Sequence, residues 1–169
     1  MVNISETELR LRLANVKLLA LDVDGVLTDG GLYYTESGEE MKKFNVKDGL
    51  GLKLIMQAGI VVAIITASSA NATRHRAKKL GIPHVFVGVD NKLSVLQQLC
   101  EDLRFDLSQV AYVGDDINDL PIMGSVGCPL TVADAILANR ERAIYVTQLA
   151  GGRGAVREIC ELLLSVLRR

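Results

Sequence analysis

The near-continuous apolar run Val16-Lys17-Leu18-Leu19-Ala20-Leu21 ends abruptly in Asp22-Val23-Asp24-Gly25-Val26-Leu27-Thr28-Asp29-Gly30. A short run of this kind is the pattern of a strand buried on both faces of a parallel sheet. Open α/β sheets bind their ligands beyond the carboxyl ends of the strands, and that is where these acids fall. Asp22 and Asp24 are two residues apart, so on an extended chain they point the same way. Two like charges side by side are costly unless a cation, a shared proton or a reacting substrate compensates them. Asp and Gly are also common where a turn opens a helix, so the run acquires meaning from what the rest of the chain places beside it.

The remaining sequence repeats one rhythm. Strands are predicted at Lys17–Leu21, Ile60–Thr66, His84–Val87, Gln109–Val113 and Ala143–Val146. Helices are predicted at Leu50–Gln57, Ala70–Leu80, Asn91–Leu103, Asn118–Met123, Ala133–Leu137 and Arg153–Arg168, with a polar helix candidate over Met1–Asn15. Alternation of this kind specifies an α/β fold, a Rossmann-like parallel sheet with helices on both faces and right-handed crossovers. The 169 residues suit a single domain, 1–169. One piece departs from the rhythm. Between Gly31 and Val46, Leu32–Thr35 and Met41–Phe44 flank Glu36-Ser37-Gly38-Glu39, the signature of an inserted β-hairpin. A small ribbon carrying Leu32, Tyr33, Tyr34 and Phe44 needs something to pack against, which points to an assembly surface.

Composition removes several classes of function. A net charge of −1 gives no electrostatic case for a nucleic acid or an anionic membrane, and the scarcity of aromatics argues against base stacking. Cys100, Cys128 and Cys160 are scattered, odd in number and set in apolar surroundings, as reduced core thiols of a cytoplasmic protein would be. No apolar run reaches membrane-spanning length.

Three further features fall at predicted strand ends and can converge on Asp22 and Asp24. Thr66 closes Val61–Ile65 and offers a hydroxyl suited to a phosphoryl oxygen, although such a threonine often only caps the next helix. Lys92 follows Val87-Gly88-Val89-Asp90-Asn91 at a helix start, where its charge opposes the helix dipole; balancing acids or binding phosphate would explain that placement. Gly114-Asp115-Asp116-Ile117-Asn118-Asp119 brings three more acids to the end of Val110–Val113. An oxygen-only set without thiol or imidazole suits Mg²⁺. His75 and His84 lie outside it, as helix-surface and strand residues.

The pattern Asp22-x-Asp24-Gly25, Thr66, Lys92 and Gly114-Asp115-Asp116-x-x-Asp119 resembles the haloacid dehalogenase superfamily of phosphohydrolases. In detail, Leu21–Gly30, Phe44-Asn45-Val46-Lys47-Asp48-Gly49 and Ala150-Gly151-Gly152-Arg153-Gly154-Ala155-Val156-Arg157-Glu158 are similar to its capless acid-sugar phosphatases. Those enzymes act on 3-deoxy-manno-octulosonate 8-phosphate or sialic-acid-type 9-phosphates. The resemblance implies a HAD-like fold without a cap domain and a phosphoric monoester hydrolase working through an aspartyl-phosphate on Asp22. It makes Asp24 the general acid and base. Mg²⁺ would be held by the Asp22 carboxylate, the Asp24 backbone carbonyl and the Asp115 carboxylate. Thr66 and Lys92 would hold the phosphoryl oxygens, while Asp116 and Asp119 would orient metal waters and Lys92. Substrate contacts would come from Asn45, Val46, Lys47, Asp48, Gly49, Lys53, Arg76 and Lys92. The relatives are typically homotetramers whose hairpins share a barrel and whose active sites lie at subunit interfaces, where Lys47 or Arg153 of one copy would face the site of another.

One position departs from the pattern. Octulosonate-8-phosphate phosphatases typically carry Gly-Arg after the strand threonine and neuraminate-type enzymes carry Gly-Glu, whereas this chain has Thr66-Ala67-Ser68-Ser69-Ala70. Ser68 cannot clamp a carboxylate bidentately as an arginine does. The leading expectation is octulosonate 8-phosphate hydrolysis. A sialic-acid-type 9-phosphate, another small phosphomonoester and a catalytically silent assembly domain are the alternatives. A phospho-accepting signalling receiver shares several of these residues but needs no acid two residues after its aspartate, so Asp24 speaks against it.

Overall fold

Residues 2 and 4–167 are described by the computed structural model, and six of their strands form one parallel sheet. In chain order these are β1 (Leu18–Leu21), β4 (Val61–Thr66), β5 (His84–Val87), β6 (Val110–Val113), β7 (Cys128–Thr131) and β8 (Tyr145–Val146). Their order across the sheet is β5-β4-β1-β6-β7-β8. The chain therefore runs from β1 outward on one side, then crosses back to β6 on the other. Leu21 pairs with Ile64 of β4 and with Val113 of β6, so three strands reach their carboxyl ends together around Asp22. That reversal of direction creates the crevice in which such sheets bind ligands.

Strict alternation along these strands supplies two cores. Leu19, Leu21, Val62, Ile64, Ala111 and Val113 face one layer, and Leu18, Ala20, Ala63, Ile65, Val110 and Tyr112 face the other. The first layer is covered by α1 (Glu6–Ala14), α2 (Val46–Gln57), α3 (Asn71–Leu80) and α7 (Ala155–Leu167), and the second by α4 (Lys92–Leu103) and α5 (Leu120–Met123). α6 (Leu137–Arg142) packs beside α5. In α7, Val156, Ile159, Cys160 and Leu163 recur with the period of a helix and are all buried. Each such side chain contributes about 1.5–3 kcal/mol of burial. The three cysteines are buried and free, and burial pushes the Cys128 and Cys160 thiols up to about 12.

The inserted ribbon is a short antiparallel pair, β2 (Tyr33–Tyr34) with β3 (Glu40–Met41), so its second strand lies a residue earlier and is shorter than the pattern predicts. Three other expectations are corrected and one strand is added. The helix expected from Leu50 begins at Val46, capped by the Asn45 side chain, which accepts from the Lys47 amide at 2.8 Å. Gly49 and Gly51 obscure that start because glycine disfavours helix interiors, yet both are needed where α2 meets Arg76 and Cys160. The helix expected at Ala133–Leu137 forms instead at Leu137–Arg142. Its intended residues are spent on tertiary bonds: Ala133 N–H to Leu149, Asp134 from Gly151, and Ile136 N–H to Asp115. β7 was not expected, because Pro129 argues against an interior strand. The N-terminal helix is confined to Glu6–Ala14. The expected ends Met1 and Arg168 lie outside the described residues.

Candidate active site

β1 delivers Asp22 into the crevice with only 5% of its surface exposed. Its Oδ1 accepts the Val23 amide at 2.7 Å, and its Oδ2 lies 2.7 Å from the Lys92 ammonium. Lys92, the first residue of α4, is itself buried and reaches Asp119 Oδ1 at the same distance of 2.7 Å. Placing a lysine at a helix start opposes the dipole. Two buried carboxylates offset that cost here. Burial pulls the ammonium down, but the Asp22 and Asp119 charges outweigh it and hold Lys92 above its ordinary range.

Asp119 is wholly buried and its acceptor capacity is spent. Oδ1 takes the Tyr112 hydroxyl at 2.6 Å as well as Lys92, while Oδ2 takes the Asp115 and Asp116 amides at 2.9 and 3.3 Å. This fold of the 114–119 loop requires Gly114, where a Cβ would fall 2.4 Å from Asp119 Cβ. Asp116 caps the following turn through the Ile117 amide and is exposed.

Asp115 stands opposite Asp22. Its Oδ1 is buried without a hydrogen-bond partner, an arrangement that needs an explanation in a native site. Burial first, then the charges of Asp22, Asp119 and Asp116, raise its carboxyl to about 7. Burial and Asp119 likewise raise Asp22 to about 6 despite Lys92. Carboxylate oxygens of Asp22, Asp115 and Asp119 lie within 4.8 Å of one another. Asp119 is saturated by its four donors, so the free capacity belongs to Asp22 and Asp115. An orphaned buried oxygen facing a second carboxylate in an all-oxygen set fits a hard divalent cation.

Asp22, Asp24, Gly25, Thr66, Ser68 and Asp115 line one cavity of about 320 Å³. Thr66 is buried at the end of β4, its hydroxyl oxygen accepting the Ser68 amide at 3.2 Å. Ser68 Oγ accepts the Ala70 amide at 3.3 Å. Of the residues expected to act together, Asp22, Asp24, Thr66, Lys92, Asp115 and Asp119 are therefore gathered at three adjoining strand ends and one helix start.

The expected substrate segment sits apart from that cavity within one chain. Asn45, Val46 and Lys47 line a surface groove with Phe44, Leu149 and Arg153. Asp48 is buried and accepts the Arg157 amide at 2.8 Å, which caps α7, and Gly49 lies under Arg76. The Arg76 guanidinium donates to the Asn45 carbonyl at 2.9 Å and lies over the Phe44 ring. Lys53 is exposed on α2.

Three contributors are not singled out by sequence reasoning. Tyr112 buries a hydroxyl in an apolar strand, and a buried tyrosine normally finds a partner; that partner is Asp119. Gly151 is packed against the acidic loop, and a Cβ there would lie 1.7 Å from the Gly25 carbonyl oxygen. Lys42 reaches from the hairpin to Asp24 Oδ1 at 2.5 Å. Its signal was the inward phase of the alternation Met41-Lys42-Lys43, which places an ammonium on the face turned to the site.

A doubly covered parallel sheet with an aspartate pair at its central strand, a strand-end threonine, a buried lysine and a distal acid is the architecture of the haloacid dehalogenase-like hydrolases, and that family matches residues 46–127. Over 158 residues the chain is 49% identical to the 3-deoxy-D-manno-octulosonate 8-phosphate phosphatase KdsC of Salmonella typhi, covering 94% of this chain and 84% of that protein. It is 51% identical to the protein of the same name from Escherichia coli K12 over 150 residues, 89% of this chain and 80% of that one. The crystal structure of the Moraxella catarrhalis phosphatase of that name, in complex with magnesium, phosphate and KDO, superimposes with a TM-score of 0.93 at 42% identity, covering 96% of this chain and 93% of that one. The chain belongs to the KdsC family of haloacid dehalogenase-like phosphatases.

Proposed function

We propose that the protein hydrolyses 3-deoxy-D-manno-octulosonate 8-phosphate through an aspartyl-phosphate on Asp22. The observation that carries this reading is Asp22 itself, which lines one cavity with Asp24, Thr66 and Asp115 while its Oδ2 lies 2.7 Å from the buried Lys92. Asp22 attacks phosphorus in line, and the bond from phosphorus to the sugar oxygen breaks. Asp24 gives its proton to that oxygen as it leaves. Asp24 then takes a proton from water, whose oxygen attacks the phosphorus and releases the Asp22 carboxylate. Lys92 and Thr66 hold the phosphoryl oxygens through the transfer. Mg²⁺, held by the Asp22 and Asp115 carboxylates and the Asp24 backbone carbonyl, would neutralise the charge of the transferring group. Asp119 fixes Lys92, and Asp116, at the rim of the cavity, would orient water beside the cation.

The substrate assignment rests on the relatives, which are named for octulosonate 8-phosphate. Ser68 lines the cavity without a charge to offer the acid end of the sugar. A second reading, a sialic-acid-type 9-phosphate or another small phosphomonoester, therefore keeps the same chemistry. The working form in this proposal is a cytoplasmic homotetramer. Its support is the exposed apolar face of the hairpin, Leu32, Tyr33, Tyr34 and Met41. In such an assembly the groove bearing Asn45, Val46, Lys47 and Arg153 serves a neighbouring copy, Asp48 and Gly49 hold that segment in place, and Lys53 and Arg76 supply charge nearby. No helix among the described residues is long and apolar enough to cross a membrane.

Phosphate release from a panel of sugar phosphates, with Mg²⁺ and with chelator, tests the proposal. Metal-dependent release strongly favouring octulosonate 8-phosphate is expected. Preference for N-acetylneuraminate 9-phosphate would move the substrate, and release from none by folded protein would end the phosphatase assignment.

A further inference from the structure

Two consecutive lysines fasten the hairpin to the acidic loop. Lys43 pairs with Asp29, and Lys42 with Asp24 at 2.5 Å. The two pairs differ in kind. Lys43 is an exposed side chain, whereas the Lys42 side chain is withdrawn from solvent between Asp24 Oδ1 and Glu40 Oε1, the latter at 2.9 Å. An ammonium taken out of water needs such partners, and each carboxylate is held in return. Glu40 is itself held from across the hairpin, where the Tyr34 hydroxyl donates to its Oε2 at 3.3 Å. A continuous polar chain thus runs from Tyr34 through Glu40 and Lys42 to Asp24.

Lys42 engages Oδ1 of Asp24 while the residue still lines the cavity shared by Asp22, Thr66 and Asp115. With Oδ1 held by Lys42, the proton of the acid step resides on Oδ2, which the anchored carboxyl group presents in a defined direction. Proton transfer at a leaving oxygen requires such aim, because a displacement of about 1 Å can cost on the order of a hundredfold in rate. The hairpin by itself is only a two-stranded ribbon, a form that is marginal in isolation. Its seating on the domain therefore draws on contacts of this type together with the packing of Phe44 and the Asn45 bond to Gly152.

We infer that Lys42 is a positioning residue, which aims Asp24 for proton transfer and makes that step depend on the seating of the hairpin. The inference rests on the proposed acid–base role of Asp24. It is separable from stability because acid–base aim affects only the steps in which a proton moves. Formation of the aspartyl-phosphate from a sugar phosphate needs a proton for the departing alkoxide. Formation from p-nitrophenyl phosphate does not, since the phenolate leaves unaided. Hydrolysis of the intermediate needs a proton removed from water in both cases.

The test is rapid-mixing kinetics of the 169-residue chain carrying Lys42→Met, with Mg²⁺, on octulosonate 8-phosphate and p-nitrophenyl phosphate. The expected result with the sugar phosphate is a kcat lower by about 10- to 100-fold with KM unchanged. With p-nitrophenyl phosphate the first turnover keeps its rate and later turnovers slow, so a burst of p-nitrophenol appears. Lys42→Arg restores much of the loss, and Lys42→Gln repeats the experiment where the methionine variant does not fold. Unchanged kcat on the sugar phosphate, a rise in KM alone, or an equal slowing of the first turnover would overturn the inference. Asp24→Asn serves as reference: it should give a larger burst, and its failure to do so would overturn the acid–base reading of Asp24 itself.

Discussion

Gly151 lies so close to Gly25 that a Cβ built on Gly151 would sit 1.7 Å from the Gly25 carbonyl oxygen. Gly25 has a backbone φ of +80°, and its own Cβ would meet Asp115 at 1.9 Å. The loop that carries Asp22 and Asp24 is therefore wedged between the 150–154 segment and Asp115. Neighbouring bonds strengthen the wedge, with the Gly152 amide donating to Val26 and the Gly151 amide to Asp134.

Gly151→Ala should accordingly damage activity and stability together. Relieving backbone overlap by shifting a packed loop costs about 1–3 kcal/mol. That corresponds to a melting temperature lower by about 3–10 °C. Turnover should fall about tenfold or more as Asp22 moves from its aim. Differential scanning calorimetry and phosphate release measure the two effects, and wild-type values in both would show that the loops separate freely.

Lys92→Met leaves Asp22 and Asp119 buried without their shared cation. Breaking a buried ion pair by removing one partner destabilises by about 3–5 kcal/mol. Asp119 keeps the Tyr112 hydroxyl and two amides, so Asp22 should bear most of the loss. Urea unfolding above neutral pH should show a midpoint lowered accordingly, together with loss of turnover. A variant as stable as the parent would show that solvent already screens the triad.

The acid cluster sets a pH dependence in chelator. Asp22 and Asp115 titrate near 6 and 7 in the folded protein against an ordinary 3.8, so the native state binds protons that the unfolded state releases. Stability then falls as pH rises from about 4 to about 7 and stays low above that range. The metal-free protein should melt at a lower temperature at pH 8 than at pH 5. Mg²⁺ at pH 8 should restore the difference by taking the proton's place. Asp115→Asn should flatten the profile. A melting temperature that rises from pH 5 to pH 8 in chelator would contradict this charge arrangement.

The hairpin supplies the assembly prediction. Tyr33 and Met41 are 48% and 53% exposed, beside Leu32 and Tyr34. Tyr33→Glu with Met41→Glu should lower the mass seen in light scattering below that of the proposed tetramer and, through Lys42, reduce turnover. An unchanged mass would place the interface elsewhere.

Sequence alone determined where the chemistry could stand. Leu18–Leu21, Val61–Thr66 and Val110–Val113 are legible as buried strands because local hydrophobic runs encode them, and the acids, threonine and lysine that follow are legible by position. The period-two and helical repeats needed no long-range information. Strand β7 escaped because Pro129 speaks against it locally, and its place between β6 and β8 is decided by pairing with distant chain. The helix at Leu137–Arg142 escaped because Ala133–Ile136 give their hydrogen bonds to loops instead of to a helix.

Tertiary structure alone decided which groups meet. Proximity of Lys92 to Asp22, of Tyr112 to Asp119, of Gly151 to Gly25 and of Lys42 to Asp24 spans separations that no local pattern records. The polar contacts exist because burial removes competing water and leaves each charge or hydroxyl dependent on protein partners, and the glycine contact exists because two backbones without Cβ atoms can approach. Local sequence preferences act over a few residues, whereas the satisfaction of buried polar groups is settled only when the sheet closes.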